Sequence, residues 1–127
     1  KGIVLLGHDV SPAIVQPGGT FTVTLYWQPQ QIITESYKVS VQLLSSLLQL
    51  AAQDDSIPAT WTYPTTAWRP GEIIADRHVL TVVPQAQPGT YSLIALLYDP
   101  RDLRRLSVRQ LGRTEDHALL GAVEVAP

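Results

Sequence analysis

The chain contains no cysteine and no methionine. Without cysteine there are no disulfides, no thiolate nucleophile and no thiolate metal site. Without a methionine even at position 1, Lys1 is expected to be the edge of a segment of something longer. No apolar run approaches the roughly 20 residues a spanning helix needs, so no membrane insertion by these residues is expected. Charge of one sign is scarce as well. Nine Lys and Arg against eleven Asp and Glu leave a net charge of -2. A pI near 5.8 provides no basic field for nucleic acid, and no nucleic-acid partner is expected. Only 16% of residues are charged while 45% are hydrophobic, which favours a packed core over disorder. At 127 residues the length suits a single domain spanning 1–127.

What is present is period-two alternation. Thr20 to Gln28 sets Phe21, Val23, Leu25 and Trp27 against Thr20, Thr22, Thr24, Tyr26 and Gln28. One face in a core and one in water is the signature of a strand. Tyr37 to Leu44 repeats the pattern, with Tyr37, Val39, Val41 and Leu43 on the apolar face. Thr90 to Asp99 carries Tyr91, Leu93, Ala95 and Leu97 on one face and Ile94, Leu96 and Tyr98 on the other, which predicts a central strand covered on both sides at least in part. Weaker strand patterns run over Ile3 to His8, Leu47 to Gln53, Ile73 to Val82, Leu106 to Arg109 and Leu119 to Val125. About eight strands and no amphipathic helix predict an all-β sandwich.

The turn residues fit that reading. Gln16-Pro17-Gly18, Arg69-Pro70-Gly71 and Gln87-Pro88-Gly89 each place a fixed φ before a residue free to take positive φ, as a type II turn requires. Each precedes an extended run, and their unequal spacing argues against a tandem repeat. Tyr91 follows the last of them at the head of a buried strand. That is the place of a tyrosine corner, a hydroxyl bonded back to nearby backbone.

Catalytic constellations are missing from the sequence. His8, His78 and His117 show no paired spacing for zinc and are expected on strand faces or in solvent. His8, Asp9 and Ser11 have the letters of a triad, but neighbouring strand residues point to opposite faces. Asp54, Asp55, Asp99 and Asp102 are expected as turn formers, and no calcium-loop spacing accompanies them. No cofactor motif occurs. Arg101, Arg104, Arg105, Arg109 and Arg113 form a basic segment that Asp99, Asp102, Glu115 and Asp116 offset, consistent with protection of a sheet edge.

The longest irregular stretch, Asp54 to Gly71, holds Trp61, Tyr63 and Trp68. Loops of this length in compact domains are usually functional or mobile. Two readings are open. The rings fold back over the sandwich as a lid, adding apolar area to a small core. Alternatively Trp61, Tyr63 and Trp68, with Arg69 beside them, form a platform on which sugar rings stack.

Four segments carry a resemblance: G-H-D-V-S-P at Gly7 to Pro12, P-G-G-T-F-T-V-T-L-Y-W-Q at Pro17 to Gln28, Y-P-T-T-A-W-R-P-G-E at Tyr63 to Glu72, and P-G-T-Y-S-L-I-A-L-L-Y-D at Pro88 to Asp99. Over nearly its whole length the chain resembles the β-sandwich domains that follow the multi-spanning part of bacterial glycosyltransferases of the protein-mannosyltransferase type. The resemblance implies an immunoglobulin-like or fibronectin-like antiparallel sandwich of seven to nine strands. It also implies a membrane-anchored parent chain and a place on the extracytoplasmic side. Transfer chemistry in such proteins belongs to the membrane part, so no catalytic residue is implied here. One departure stands out: Ser45-Ser46-Leu47-Leu48 replaces the Asp/Gly-rich turn usual in the middle hairpin. Without glycine a two-residue turn is disfavoured, which predicts a longer or irregular hairpin with Leu47 and Leu48 as a contact surface.

The expectation is therefore a non-catalytic accessory domain that positions or contacts a parent membrane domain or envelope protein. The alternative is a carbohydrate-binding module holding a glycan on the loop aromatics.

Overall fold

The computed structural model describes residues 2–127. The chain is an all-β sandwich of two five-stranded sheets. Its strands are β1 (Ile3–Ser11), β2 (Ile14–Val15), β3 (Thr20–Pro29), β4 (Lys38–Leu44), β5 (Leu50–Ser56), β6 (Ile74–Thr81), β7 (Gly89–Tyr98), β8 (Val108–Gln110), β9 (Arg113–Glu115) and β10 (Ala118–Val125). The first sheet runs β6-β3-β1-β8-β9 and the second β2-β10-β7-β4-β5. β2 and β9, only two and three residues long, bring the strands to ten, above the seven to nine expected. Most pairs are antiparallel, but β1 pairs with β8 and β10 with β2 in parallel.

Alternation places the core. Phe21, Val23, Leu25 and Trp27 of β3 meet Val39, Val41 and Leu43 of β4 and Leu93, Ala95 and Leu97 of β7 in one buried cluster. β7 lies between β10 and β4, and Leu96 on its other face is also buried. The outer face of β7 is covered only in part, with Ser92 exposed and Ile94 and Tyr98 half-buried, which matches its apolar residues in succession over Ile94–Tyr98.

Two of the three Pro-Gly turns close as expected. Gly19 N–H donates to the Gln16 carbonyl at 2.8 Å and Glu72 N–H to the Arg69 carbonyl at 3.1 Å, with Gly18 and Gly71 at φ 81 and 86. The third differs. Gly89 already belongs to β7 with φ 146, and the Gln87 carbonyl accepts the Tyr91 hydroxyl at 2.7 Å. That bond, reaching back four residues from the head of a buried strand, has the geometry of a tyrosine corner.

The β4–β5 hairpin is longer than a two-residue turn. Leu44 pairs with Leu50, and the Ser45 hydroxyl accepts from the Leu47 and Gln49 amides at 3.2 and 3.1 Å. Leu48 takes the left-handed conformation at φ 62, in the position glycine would fill without steric cost. β5 consequently starts at Leu50 rather than Leu47 and continues to Ser56, so Asp54 and Asp55 are strand residues and not the start of the loop.

Candidate functional site

The loop between β5 and β6 closes one edge of the sandwich, where both flanking strands are outermost in their sheets. It opens with a left-handed turn over Pro58–Trp61, in which Ala59, Thr60 and Trp61 have φ 58, 55 and 69. Each such non-glycine residue loses roughly 1–2 kcal/mol of backbone energy, so outside contacts must hold the turn. The Ala59 amide donates to Asp76 Oδ1 at 2.7 Å, and the Trp61 amide to the Ile57 carbonyl at 2.9 Å.

The three loop aromatics part company. Trp68 is only 3% exposed, lies in the core, and donates its indole N–H to the Tyr63 carbonyl at 3.0 Å. Tyr63 is half-buried, and its hydroxyl donates to Glu72 at 2.6 Å. The same Glu72 oxygen accepts the Arg69 amide at 2.6 Å, so Arg69 contributes backbone to a closed loop. The hydrogen bond from Tyr63 holds the Glu72 carboxyl below its ordinary range, and the same bond raises the Tyr63 phenol. Trp61 alone stands out, 57% exposed, with the Lys38 ammonium 5.0 Å from its ring centroid. A platform of Trp61, Tyr63, Trp68 and Arg69 is therefore not formed. Trp68 packs in the core cluster, and Tyr63 packs against that cluster with its hydroxyl held by Glu72.

Beneath the turn lies a polar cluster. His78, buried on β6, has Nε2 2.8 Å from Asp76 Oδ2 and Nδ1 2.7 Å from Asp54 Oδ2. Asp76 is fully buried and also accepts the Trp27 indole N–H at 3.1 Å. A neutral imidazole has one N–H, so facing a carboxylate with each nitrogen requires the doubly protonated ring. Burial pushes the His78 pKa down, but hydrogen bonds and charge from Asp76 and Asp54 outweigh it, and the net shift is upward. With both nitrogens occupied, His78 has none free to take a proton from a substrate. The carboxylates sit on opposite sides of the ring and do not converge on a shared point for a metal.

His78 is thus on a strand face, the inward one, and not in solvent, and Asp54 is not a turn former. The signal for Asp76 and His78 was in β6: Ile74, Asp76, His78 and Leu80 share one period-two face, which places two polar residues among core positions.

The other candidates fall into place singly. His8 is half-buried on β1, and His117 has Nδ1 2.8 Å from Asp116. Asp9 accepts the Tyr26 hydroxyl at 2.8 Å. Asp55 accepts hydroxyls from Ser40 at 2.7 Å and Tyr98 at 2.8 Å, and burial followed by Asp55 pushes the Tyr98 phenol up to about 12. Asp99 and Asp102 do shape turns, each accepting the amide two residues on. Side-chain and backbone bonds from Arg101 hold Asp99 at about 2. Of the basic segment, Arg101 pairs with Asp99 and Glu35, Arg105 with Asp116, and Arg113 with Glu115.

Two grooves remain. One, about 160 Å³, lies between the β5 and β6 edges and is lined by Asp54, Ser56, Thr60, Trp61, Arg77 and Val79. The other, about 350 Å³, lies at the opposite end beside the β4–β5 hairpin, where Leu47, Leu50, Val83, Ala86 and Tyr91 are among its walls. Leu47 and Leu48 at the hairpin tip are 78% and 77% exposed.

No protein-family model matches the chain, and no curated protein does. Among solved structures it is similar to AvmM, which catalyses macrocyclization in alchivemycin A biosynthesis, with a TM-score of 0.48 and 11% identity over 94% of this chain and 88% of that one. It is also similar to a β-glucuronidase from glycoside hydrolase family 2, with a TM-score of 0.58 and 9% identity over 96% of this chain. This second likeness is one of fold, an all-β sandwich, and the chain spans 12% of that enzyme's length.

Proposed function

We propose that this chain is a non-catalytic accessory domain of a bacterial membrane glycosyltransferase. It sits on the extracytoplasmic side and docks on the parent membrane domain or an envelope protein. The four-segment sequence resemblance supplies the context. The observation that carries docking is the scarcity of charge at one end of the sandwich, where Glu124, bonded to the Thr90 hydroxyl at 2.7 Å, is an isolated charged side chain. Val10 to Thr34, Val39 to Gln53 and Val79 to Tyr98 contain no charged residue. The β2–β3 turn, the β4–β5 hairpin and the β6–β7 loop from these stretches meet at one end, joined by bonds such as Val83 N–H to the Ala51 carbonyl at 2.9 Å. Exposed Leu47 and Leu48 project there beside the 350 Å³ groove. A surface of exposed leucines among neutral glutamines and serines, with little charge to dehydrate, suits a protein contact. The opposite end carries Glu35, Asp99, Arg101, Asp102, Arg104 and Arg105 and suits water.

A photo-crosslinking side chain at position 47, in the parent protein in its native membrane, tests this. Crosslinks from position 47 to the membrane part or to an envelope protein, with none from exposed Leu103 at the charged end, are the expected result. Equal labelling from both positions, or none from 47, would sink the docking surface. Glycan binding on three stacked rings finds no support, because Trp68 is committed to the core.

A further inference from the structure

The turn at Pro58–Trp61 holds one tryptophan in solvent by unusual means. Three consecutive non-glycine residues keep left-handed φ, buried Asp76 anchors the Ala59 amide, and the Lys38 ammonium lies over the Trp61 ring. Strain of this kind persists only where surrounding contacts over-determine it, and it collects at binding sites. The result is a fixed indole on the wall of the 160 Å³ groove.

The groove also contains the single buried side-chain polar atom without a partner among the described residues. Ser56 Oγ makes no hydrogen bond, and the residue is 3% exposed. A buried hydroxyl free to donate and accept is a hydrogen-bonding group the fold itself does not use. Asp54 gives Oδ2 to His78, while Asp54 Oδ1 and the Arg77 guanidinium have no protein partner among the described residues. The groove therefore offers a flat apolar ring, a carboxylate acceptor, a guanidinium donor and the exposed Thr60 hydroxyl, with the buried Ser56 hydroxyl behind its lining.

We propose that this groove binds one neutral pyranose ring of a glycan. A pyranose matches the set with a C–H face for the indole and a rim of hydroxyls that both donate and accept. The volume suits one ring. Arg77 attracts a carboxylated sugar and Asp54 repels it, so the groove has no strong charge preference and a neutral ring fits best. The residues differ from the three-ring platform, sharing only Trp61 with it. Binding here needs no parent chain and lies at the opposite end from Leu47, so it stands or fails separately from the docking role.

The test is a titration of the 127-residue chain with methyl glycosides of glucose, mannose and galactose and with methyl glucuronide. The indole N–H signals of Trp27, Trp61 and Trp68 are followed by NMR, together with the backbone amides of Ser56, Thr60 and Arg77, which still report on the groove when Trp61 is replaced. One ring held this way binds in about the millimolar range, so concentrations up to ~50 mM are used. A neutral glycoside is expected to move the Trp61 signal saturably and leave Trp27 and Trp68 in place. Trp61→Ala is expected to weaken binding about tenfold or more, and Ser56→Ala and Arg77→Ala about three- to tenfold. Arg77 is exposed, so Arg77→Ala keeps the test valid if Ser56→Ala disturbs packing. No movement of Trp61 with any sugar, or unchanged binding by Trp61→Ala, overturns the site. Tighter binding of the glucuronide overturns the neutral-ring assignment.

Discussion

His78 and Asp76 meet inside the sandwich with Nε2 2.8 Å from Oδ2 and neither side chain exposed. Two residues apart on β6, they share its inward face, and Asp76 joins the sheet to the loop by accepting both the Trp27 indole and the Ala59 amide. Removing one partner of a buried ion pair leaves the other charge uncompensated, at a cost of about 3–5 kcal/mol. Asp54 still faces His78, so Asp76→Asn is expected at the low end, about 3 kcal/mol, by urea unfolding. A double-mutant cycle with His78→Leu should show coupling of about 1–3 kcal/mol. Strict additivity would mean that the pair does not act as a unit.

The same contact sets a pH dependence. The folded-state pKa of His78 is raised above its unfolded value of about 6.5. A group that binds its proton more tightly when folded contributes stability that is complete below the unfolded pKa. That contribution disappears as pH rises through the folded pKa. Urea midpoints are therefore expected to decline from about pH 6.5 upward, and the decline should be absent in His78→Leu. A wild-type midpoint that climbs over the same range would contradict a charged His78.

Much of this could be read from residue order. Phe21, Val23, Leu25 and Trp27 alternate strictly, and a strand with one buried face has no other way to arrange them. Asp76 and His78 were open to the same reasoning, since a two-residue period runs through Ile74 and Leu80. Asp54 was not, because its partner comes from the other sheet, 24 residues along the chain. Nor could order alone separate Trp68 from Trp61, which lie seven residues apart in a loop without periodicity. The left-handed turn between β5 and β6 was silent for a related reason. Ala59-Thr60-Trp61 contains no glycine, and the Asp76 carboxylate that anchors its backbone comes from β6, 17 residues along the chain.

The two loop tryptophans should differ sharply in mutation. Trp68 belongs to the core and seals the sandwich edge, and replacing such a ring by alanine costs about 3–5 kcal/mol through lost transfer energy and the cavity left behind. Trp61 is 57% exposed, and its cation–π pair with the Lys38 ammonium is of the exposed kind that contributes about 0.5–1 kcal/mol. Trp68→Ala is accordingly expected to lower the unfolding free energy by about 4 kcal/mol and Trp61→Ala by less than about 1 kcal/mol. Comparable losses in chemical denaturation would mean that Trp61 also packs, leaving no indole for a ligand.

Leu48 tests whether the hairpin tip is shaped for contact or for stability. At φ 62 its Cβ crowds the backbone, a left-handed cost of roughly 1–2 kcal/mol that glycine avoids. Glycine has more freedom to lose on folding, which returns roughly 0.5–1 kcal/mol of that gain. The Leu48 side chain is largely in solvent, so little packing is lost with it. Leu48→Gly is therefore expected to raise the unfolding free energy by about 0.5–1 kcal/mol. In the parent protein the same change should weaken crosslinking from position 47, because half of the exposed leucine pair is gone. Higher stability with weaker docking would identify Leu48 as a residue kept for contact at the expense of the turn. A loss of stability would show that the leucine packs where it stands, and the contact surface would shrink to Leu47 and the groove beside it.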